Sequence, residues 1–295
     1  MSLPASLSPR SGGLVVITDL DGSLLDSETY ACDDARPALA ELARTQIPLV
    51  LCSGKTRAEM HALARDLALA HPFIVENGGA IVFPPGSFEG EVPGARSLES
   101  LRILALGAPR AMLVAALREL AKNTGVRVRG FADLAPEEIQ SLTGLSGPAA
   151  LLALQREYDE PFLVEDEASV ARLSCAAEAR GLQLSHGGRF HHLMGGSDKG
   201  LAVRTLLALY RRAGWDFRSA GLGDAETDLP LLRAVERPIV VPRRDGTLDP
   251  TLASQLPAAE RAPVPGPSGW NAAVLALVEG RRLPRLCDPM ERGER

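Results

Sequence analysis

The sequence predicts an α/β fold: a doubly wound, Rossmann-like core on a parallel sheet, interrupted by a second, inserted α/β unit. Three observations carry this expectation. Short apolar runs at 14–17, 47–51 and 73–75 each end in polar or glycine residues, as strands buried on both faces do. Stretches with Ala, Leu and Arg at helical spacing separate them, and strands alternating with helices imply a parallel sheet with right-handed crossovers. Residues 87–187 carry a strand–helix alternation of their own, flanked on both sides by the first pattern.

Each element has a local reason. Residues 14–19 combine four apolar residues with Thr18 and form the first strand; 34–45 is helical, 47–52 the second strand and 56–69 the next helix. Residues 73–75 form a third strand that ends at Glu76-Asn77-Gly78-Gly79, and 80–83 runs back antiparallel until Pro84-Pro85-Gly86 breaks it. In the insert, 101–106 is a strand and Pro109 opens a helix over 109–121. A strand at 126–131 follows, then a helix over 135–143 that begins Pro136-Glu137-Glu138, and another over 148–156. Strand 161–164, helix 167–180 with Gly181 as its stop, and strand 182–185 complete the insert. A strand over 189–194 is expected to return the chain to the core. Helix 198–213, strand 218–222, helix 227–235, strand 238–241 and helix 269–280 finish it. The predicted organisation is a disordered leader (1–13), core (14–86), insert (87–187), core (188–280) and charged tail (281–295).

Composition narrows the function. At 295 residues, 45% hydrophobic and 23% charged, the chain reads as an ordinary soluble protein of one large or two modest domains. A net charge of −5, scattered arginines and 4% aromatic content offer no nucleic-acid surface. No apolar stretch approaches the roughly 20 residues of a membrane span, and residues 1–13 lack the apolar segment of a signal peptide. Cys32, Cys52, Cys175 and Cys287 are widely spaced, which argues against a zinc site and for a reducing, cytoplasmic location. Cys52 reads as a buried strand residue.

The most informative segment is Thr18-Asp19-Leu20-Asp21-Gly22-Ser23. Two carboxylates at the end of an apolar strand are costly to bury unless a cation or proton satisfies them, and ligands of open α/β sheets bind at the carboxyl ends of strands. The residues therefore point to a carboxylate pair for a hard cation, one of which can also be a nucleophile; the plain alternative is an Asp-x-Asp-Gly turn. Lysine usage singles out two further places. Only three of the 32 lysine and arginine residues are lysines, and two of them, Lys55 and Lys199, follow polar turns: Cys52-Ser53-Gly54 and Ser197-Asp198. A compact ammonium is chemically distinct from a guanidinium.

In order along the chain, Asp19-x-Asp21-Gly22-Ser23, Ser53, Lys199 and Gly223-Asp224-x-x-x-Asp228 resemble the four motifs of the haloacid dehalogenase superfamily of phosphatases. One departure exists: Thr227 stands where that superfamily usually has Asn. The resemblance implies that Asp19 attacks phosphorus, that Asp21 is general acid and then base, and that Ser53 hydrogen-bonds a phosphoryl oxygen. It also implies that Lys199 neutralises Asp19 and the transferring group. Mg²⁺ would be held by Asp19, the Asp21 backbone carbonyl and Asp224, with Asp228 orienting that shell. The plain alternatives are a helix N-cap for Ser53 and an exposed helix-terminal lysine for Lys199. The insert falls where a large cap domain interrupts the core in that superfamily.

Local stretches refine the resemblance. Ser53-Gly54-Lys55-Thr56-Arg57, Val75-Glu76-Asn77-Gly78-Gly79, Arg156-Glu157-Tyr158-Asp159-Glu160-Pro161-Phe162, His186-Gly187-Gly188-Arg189-Phe190-His191 and Gly266-Pro267-Ser268-Gly269-Trp270 are similar to the family of mannosyl-3-phosphoglycerate phosphatases. This implies hydrolysis of a mannosyl- or glucosyl-3-phosphoglycerate to the glycosylglycerate, a compatible solute. The substrate would be a small phosphorylated glycoside, with no nucleic-acid or membrane partner. Lys55 and Arg57 suit the carboxylate or phosphate; Glu76, Asn77, Gly78 and Gly79 offer polar groups and exposed backbone N–H at a strand end. Glu160 suits sugar hydroxyls, and Gly188, Arg189 and His191 border the insert. Turn glycines, a surface glutamate and a salt bridge are the plain alternatives. A broader sugar-phosphate or sucrose-phosphate-type phosphatase and a non-catalytic sugar-phosphate sensor are the competing functions.

Overall fold

The computed structural model describes residues 12–187 and 189–288. The first elements in chain order are β1 (Gly13–Thr18), α1 (Arg36–Thr45), β2 (Leu49–Leu51), α2 (Arg57–Asp66), β3 (Phe73–Val75) and β4 (Ala80–Phe83). Then come β5 (Arg96–Leu98), β6 (Leu101–Ala105), α3 (Arg110–Thr124), β7 (Val128–Gly130), α4 (Pro136–Thr143) and α5 (Gly147–Ala153). The middle of the chain continues with β8 (Asp159–Val164), α6 (Val170–Glu178), β9 (Leu182–Gly187), β10 (Phe190–Gly195) and α7 (Lys199–Arg212). It ends with β11 (Phe217–Gly223), α8 (Leu229–Arg233), β12 (Arg237–Val240), α9 (Pro250–Gln255), β13 (Glu260–Arg261) and α10 (Gly266–Val278). The chain divides into two compact units, one of residues 52–206 and one of the segments before and after it.

The second of these units is built on a parallel sheet in the order β13-β12-β11-β1-β2. Val15, Val16 and Ile17 of β1 are fully buried, which is why the strand reads as a continuous apolar run rather than an alternating one. In register, Thr18 pairs with Leu222 on one side and Leu51 on the other. Residues just beyond Thr18 and Leu222 therefore lie side by side at the carboxyl edge of the sheet. Trp270 of α10 is fully buried in this unit.

The 52–206 unit holds two antiparallel sheets, β3-β4-β6-β5 and β7-β8-β10-β9. One face of the second sheet packs Phe162 and Leu193 against Leu113, Leu117 and Leu120 of α3 and Leu173 and Ala177 of α6. Phe190 joins Phe131, Ile139 and Ala150 in a separate cluster. The Leu113, Leu117 and Leu120 spacing is the stripe of a half-buried helix.

The α/β class with a parallel core and an inserted α/β unit is the one observed. Several elements differ from expectation; α9 and β13, between the strand expected at 238–241 and the last helix, were not foreseen. The strand over 189–194 does not return to the parallel sheet: β10 is antiparallel to both β8 and β9, with Phe190 opposite Gly187. A short glycine-containing connection between two apolar runs is a hairpin signal, and here it outweighs the expectation of a crossover. β5 was not foreseen, because Arg96-Ser97-Leu98 is a short, mostly exposed edge strand with no apolar period to read. Among the described residues no helix is long and apolar enough to cross a membrane.

Candidate active site

Asp19 follows β1 directly. Its N–H donates to the Leu222 carbonyl at 2.9 Å, which ties it to the end of β11. Its own carbonyl accepts the Thr18 hydroxyl at 2.7 Å, and that hydroxyl accepts the Trp270 indole N–H at 2.8 Å. A buried indole N–H needs a partner, and here it orders the peptide on which Asp19 sits. The chain then turns tightly: Gly22 N–H and Leu25 N–H donate to the Leu25 and Leu20 carbonyls, each at 2.8 Å. Gly22 has a φ of 86°, a conformation glycine adopts without steric cost. Asp21 lies in this turn.

Asp224 and Asp228 follow β11. The Asp228 carboxylate is buried and accepts the Asp224 N–H at 3.0 Å and the Ala225 N–H at 3.2 Å through Oδ2. A Cβ at Gly223 would fall 2.5 Å from the Asp228 Cβ, so only glycine lets the loop close this tightly. The buried Asp249 supports the same loop. It caps α9, accepts the Glu226 N–H at 3.2 Å and pairs with Arg243.

Carboxylate oxygens of Asp19, Asp224 and Asp228 lie within 4.8 Å of one another. Like charges this close repel one another, and a cation removes that cost. The donors are all hard oxygens, as Mg²⁺ requires. The residues therefore fit a divalent, oxygen-loving ion. A cleft of about 510 Å³ opens beside them, lined in part by Gly22, Asp26, Asp224, Arg243 and Ser268.

The remaining motif residues belong to the 52–206 unit. Ser53 is buried; its N–H donates to the Ile74 carbonyl at 3.1 Å and its Oγ accepts the Lys55 N–H at 3.3 Å. It is not the helix cap. That role falls to Thr56, which forms a capping box with Glu59 at the start of α2. Lys199 is the first residue of α7 and only 3% exposed, a placement that runs against the helix dipole. It is pressed against the 76–79 turn: a Cβ at Gly78 would meet the Asp198 carbonyl oxygen at 2.1 Å and the Lys199 N at 2.8 Å.

That turn is unusual in its backbone. Glu76, Asn77 and Gly78 have φ of 49°, 54° and 98° in succession. Glu76 N–H donates to the Lys55 carbonyl and Asn77 N–H to the Ser53 carbonyl, both at 3.0 Å, and a Cβ on Gly54 would lie 3.1 Å from the Asn77 amide. The Glu76 carboxylate is fully buried and accepts the Tyr158 N–H at 2.7 Å and the Glu157 N–H at 2.9 Å. Burial pushes this carboxyl up to about 7, against the pull of Arg156 and the two N–H donors. A Cβ at Gly79 would lie 2.4 Å from the Tyr158 Cβ. Arg57, half-buried, pairs through Nε with the Glu157 carboxylate at 2.9 Å, and Arg96 pairs with the same group at 3.2 Å.

Glu160 is buried with both oxygens engaged: Oε2 by Arg110 Nε at 2.6 Å and Oε1 by the Ala132 N–H at 2.8 Å. His191 pairs with Glu167 at 3.0 Å and packs on Phe162 and His186. Arg189 donates to the Leu142 carbonyl. Gly188 lies outside the described residues. Sequence reasoning passed over Trp270, Arg110 and the group formed by Arg156, Asp159 and His192, where Asp159 accepts from both neighbours at 3.0 and 2.8 Å. Burial opposes ionisation of Asp159, but the adjoining His192 and Arg156 outweigh it and hold the carboxyl below its ordinary range. The only sequence signal for Arg156, Asp159 and Trp270 was membership of the Arg-Glu-Tyr-Asp-Glu and Gly-Pro-Ser-Gly-Trp stretches, and Arg110 and His192 had none.

A family model described as haloacid dehalogenase-like hydrolase matches residues 16–90. A glucosyl-3-phosphoglycerate/mannosyl-3-phosphoglycerate phosphatase of Methanococcoides burtonii is 41% identical over 90% of this chain and 97% of its own. A mannosyl-3-phosphoglycerate phosphatase of Pyrococcus furiosus is 36% identical over 75% of this chain and 88% of its own. Among solved structures, a haloacid dehalogenase-like hydrolase from Bacteroides thetaiotaomicron shares the fold, with a TM-score of 0.61, 17% identity, and coverage of 92% of this chain and 99% of that one.

Proposed function

The chain belongs to the glucosyl-3-phosphoglycerate/mannosyl-3-phosphoglycerate phosphatase family of haloacid dehalogenase-like hydrolases, and we propose that it hydrolyses such a glycosyl-3-phosphoglycerate to the glycosylglycerate and phosphate. It is a phosphoric monoester hydrolase. The observation that carries the proposed chemistry is the Asp19, Asp224 and Asp228 cluster at the carboxyl edge of the parallel sheet.

Phosphoryl transfer needs positioning and charge neutralisation. In the proposed reaction an Asp19 oxygen attacks phosphorus, the bond from phosphorus to the glycerate oxygen breaks, and an aspartyl phosphate forms. Asp21 gives its proton to the departing oxygen. The Asp21 carboxylate then takes a proton from water, whose oxygen attacks phosphorus; the acyl phosphate bond breaks, phosphate leaves and Asp19 is restored. Asp19, the Asp21 carbonyl and Asp224 would hold Mg²⁺, with Asp228 fixing the Asp224 backbone. Bound there, the ion would offset the charge of the phosphoryl oxygens. Ser53 donates a hydrogen bond to a phosphoryl oxygen, and Lys199 supplies a compensating positive charge. Lys55 and Arg57 are the proposed readers of the substrate's carboxylate.

The test is phosphate release from mannosyl- and glucosyl-3-phosphoglycerate, 3-phosphoglycerate and free hexose phosphates, with Mg²⁺ and with a chelator. The expected result is Mg²⁺-dependent turnover with kcat/KM highest for the glycosylated phosphoglycerates. Equal kcat/KM for hexose phosphates would make the enzyme a broader sugar phosphatase, and no release from any ester would leave a sugar-phosphate sensor.

A further inference from the structure

Arg156 has no part in the reaction as derived above, yet its guanidinium is buried at the loop that carries Ser53. It lies between α5 and β8, and its side chain is 8% exposed. Nη1 donates to the Gly54 carbonyl at 3.0 Å and to the Asp159 carboxylate at 3.0 Å. Gly54 separates Ser53 from Lys55, and the Asn77 amide closes over its Cα. The arginine therefore grips the carbonyl of the Gly54–Lys55 peptide, one residue beyond Ser53.

The surrounding contacts aim the same way. The Thr56 hydroxyl donates to the Leu152 carbonyl at 2.9 Å, Arg57 pairs with Glu157 at 2.9 Å, and Glu76 accepts the Glu157 and Tyr158 N–H groups. Residues 152–158 are thus fastened to 54–57 and 76 at several points. Asp159 is held in turn by His192 Nδ1 at 2.8 Å, so the counter-charge of Arg156 is itself fixed. Burying an ion pair costs desolvation that a neutral donor to one carbonyl would avoid. What the charged pair adds is a rigid, planar donor locked in direction.

We propose that Arg156 is a positioning residue for phosphoryl transfer: by holding the Gly54 carbonyl it sets the backbone at 53–55, and with it the direction of the Ser53 hydroxyl. This rests on the reading of Ser53 as a phosphoryl hydrogen-bond donor. A misplacement of the kind this contact prevents costs a factor on the order of 10–100 in rate.

The experiment is a double-mutant cycle in kcat and KM with Arg156→Met and Ser53→Ala, with thermal unfolding of each variant measured alongside. Arg156→Met is expected to lower kcat roughly 10–100-fold with KM changed less than about 3-fold, and Arg156→Lys to recover part of the loss. In the Ser53→Ala background the same substitution is expected to matter by less than about 3-fold, because residues acting as a unit are not additive. Equal losses in both backgrounds, or a loss confined to KM, would overturn the proposal. An unchanged kcat in Ser53→Ala alone would instead overturn the role of Ser53. If Arg156→Met does not fold, Arg156→Lys carries the same cycle and the same two outcomes decide it.

Discussion

Gly22 lies against the carboxylate of Asp224 so closely that a Cβ on the glycine would fall 2.3 Å from Oδ2 and 2.8 Å from Cγ. The turn after β1 and the loop after β11 thus fit together only because residue 22 has no side chain. Its φ of 86° adds a second reason, since an L-residue there costs roughly 1–2 kcal/mol. Gly22→Ala must displace the Asp224 carboxylate. The expected outcome is a protein that folds but needs at least ~10-fold more Mg²⁺ for its thermal stabilisation, a shift of about 1.4 kcal/mol in binding. Unchanged stabilisation by Mg²⁺ would show that Asp224 does not hold the ion.

Asp19→Asn keeps the shape of the side chain and removes its charge. If Asp19 is the nucleophile, kcat should fall by at least ~10³. A clean preparation that keeps a tenth of wild-type turnover would remove Asp19 from that role.

Asp21→Asn separates chemistry from metal binding. Its backbone carbonyl, the proposed ligand, is untouched, so Mg²⁺ affinity should stay within a few-fold while the rate drops roughly 10²–10⁴. A collapse of Mg²⁺ affinity without a separate rate defect would make the side chain a ligand instead.

Glu76 makes stability depend on pH with a definite sign. Its carboxyl is raised from 4.5 to about 7 in the folded protein, chiefly by burial. The native state therefore keeps a proton that the unfolded chain releases above its lower pKa. This contribution is fully present below about 4.5 and is lost as the pH rises to about 7. The loss is on the order of 3 kcal/mol. Glu76→Gln cannot ionise, so the stability of the wild type relative to this variant should fall across that window and level off above it. Urea unfolding of both proteins between pH 5 and 8 measures the difference; a flat or rising difference would contradict the assignment.

Specificity divides Arg57 from Glu160. Arg57 is a quarter exposed and holds the Glu157 carboxylate, whose place a substrate's carboxylate would take if Arg57 is the proposed reader. Arg57→Ala should therefore lower kcat/KM for a glycosyl-3-phosphoglycerate by roughly 10-fold or more relative to an aryl phosphate lacking a carboxylate. Glu160 is 1% exposed and committed to Arg110. Breaking that buried pair with Glu160→Ala should cost about 3–5 kcal/mol in unfolding and reduce activity on glycosylated and free 3-phosphoglycerate alike. Equal losses on both esters for Arg57→Ala, or a selective loss of the glycosylated ester for Glu160→Ala, would reverse these assignments.

Asp19 and Asp224 of the acidic cluster were legible because each closes a run that reads as a buried strand, and Asp228 stands four residues after Asp224. Asp19 comes directly after 14–17 and Thr18, and Asp224 directly after a run that ends in glycine. Parallel register then obliges the two loops to meet. The hairpin of β9 and β10 was less legible, since Phe190-His191-His192-Leu193-Met194 suits either sheet and only pairing decides which. Trp270 showed the same limit. In sequence it is only the last residue of the Gly-Pro-Ser-Gly-Trp stretch, and its N–H bond to Thr18 needs α10 placed against β1 before it can be seen.

By itself, the sequence determined the α/β class, the parallel core with its insert, and the order of the polar residues at strand ends. These follow from periodicity and local backbone preference, which act over a few residues. Tertiary structure alone decided how polar side chains are used once buried. Glu76 and Glu160 look in sequence like exposed acceptors, yet the fold surrounds one with backbone N–H groups and pairs the other with Arg110. Arg156 looks like one scattered arginine among many, and the fold turns it onto the Gly54 carbonyl. The reason is physical: burial makes an unpaired polar group costly, so its partner is set by whatever distant segment the packing brings within hydrogen-bonding reach, and no local pattern encodes that distance.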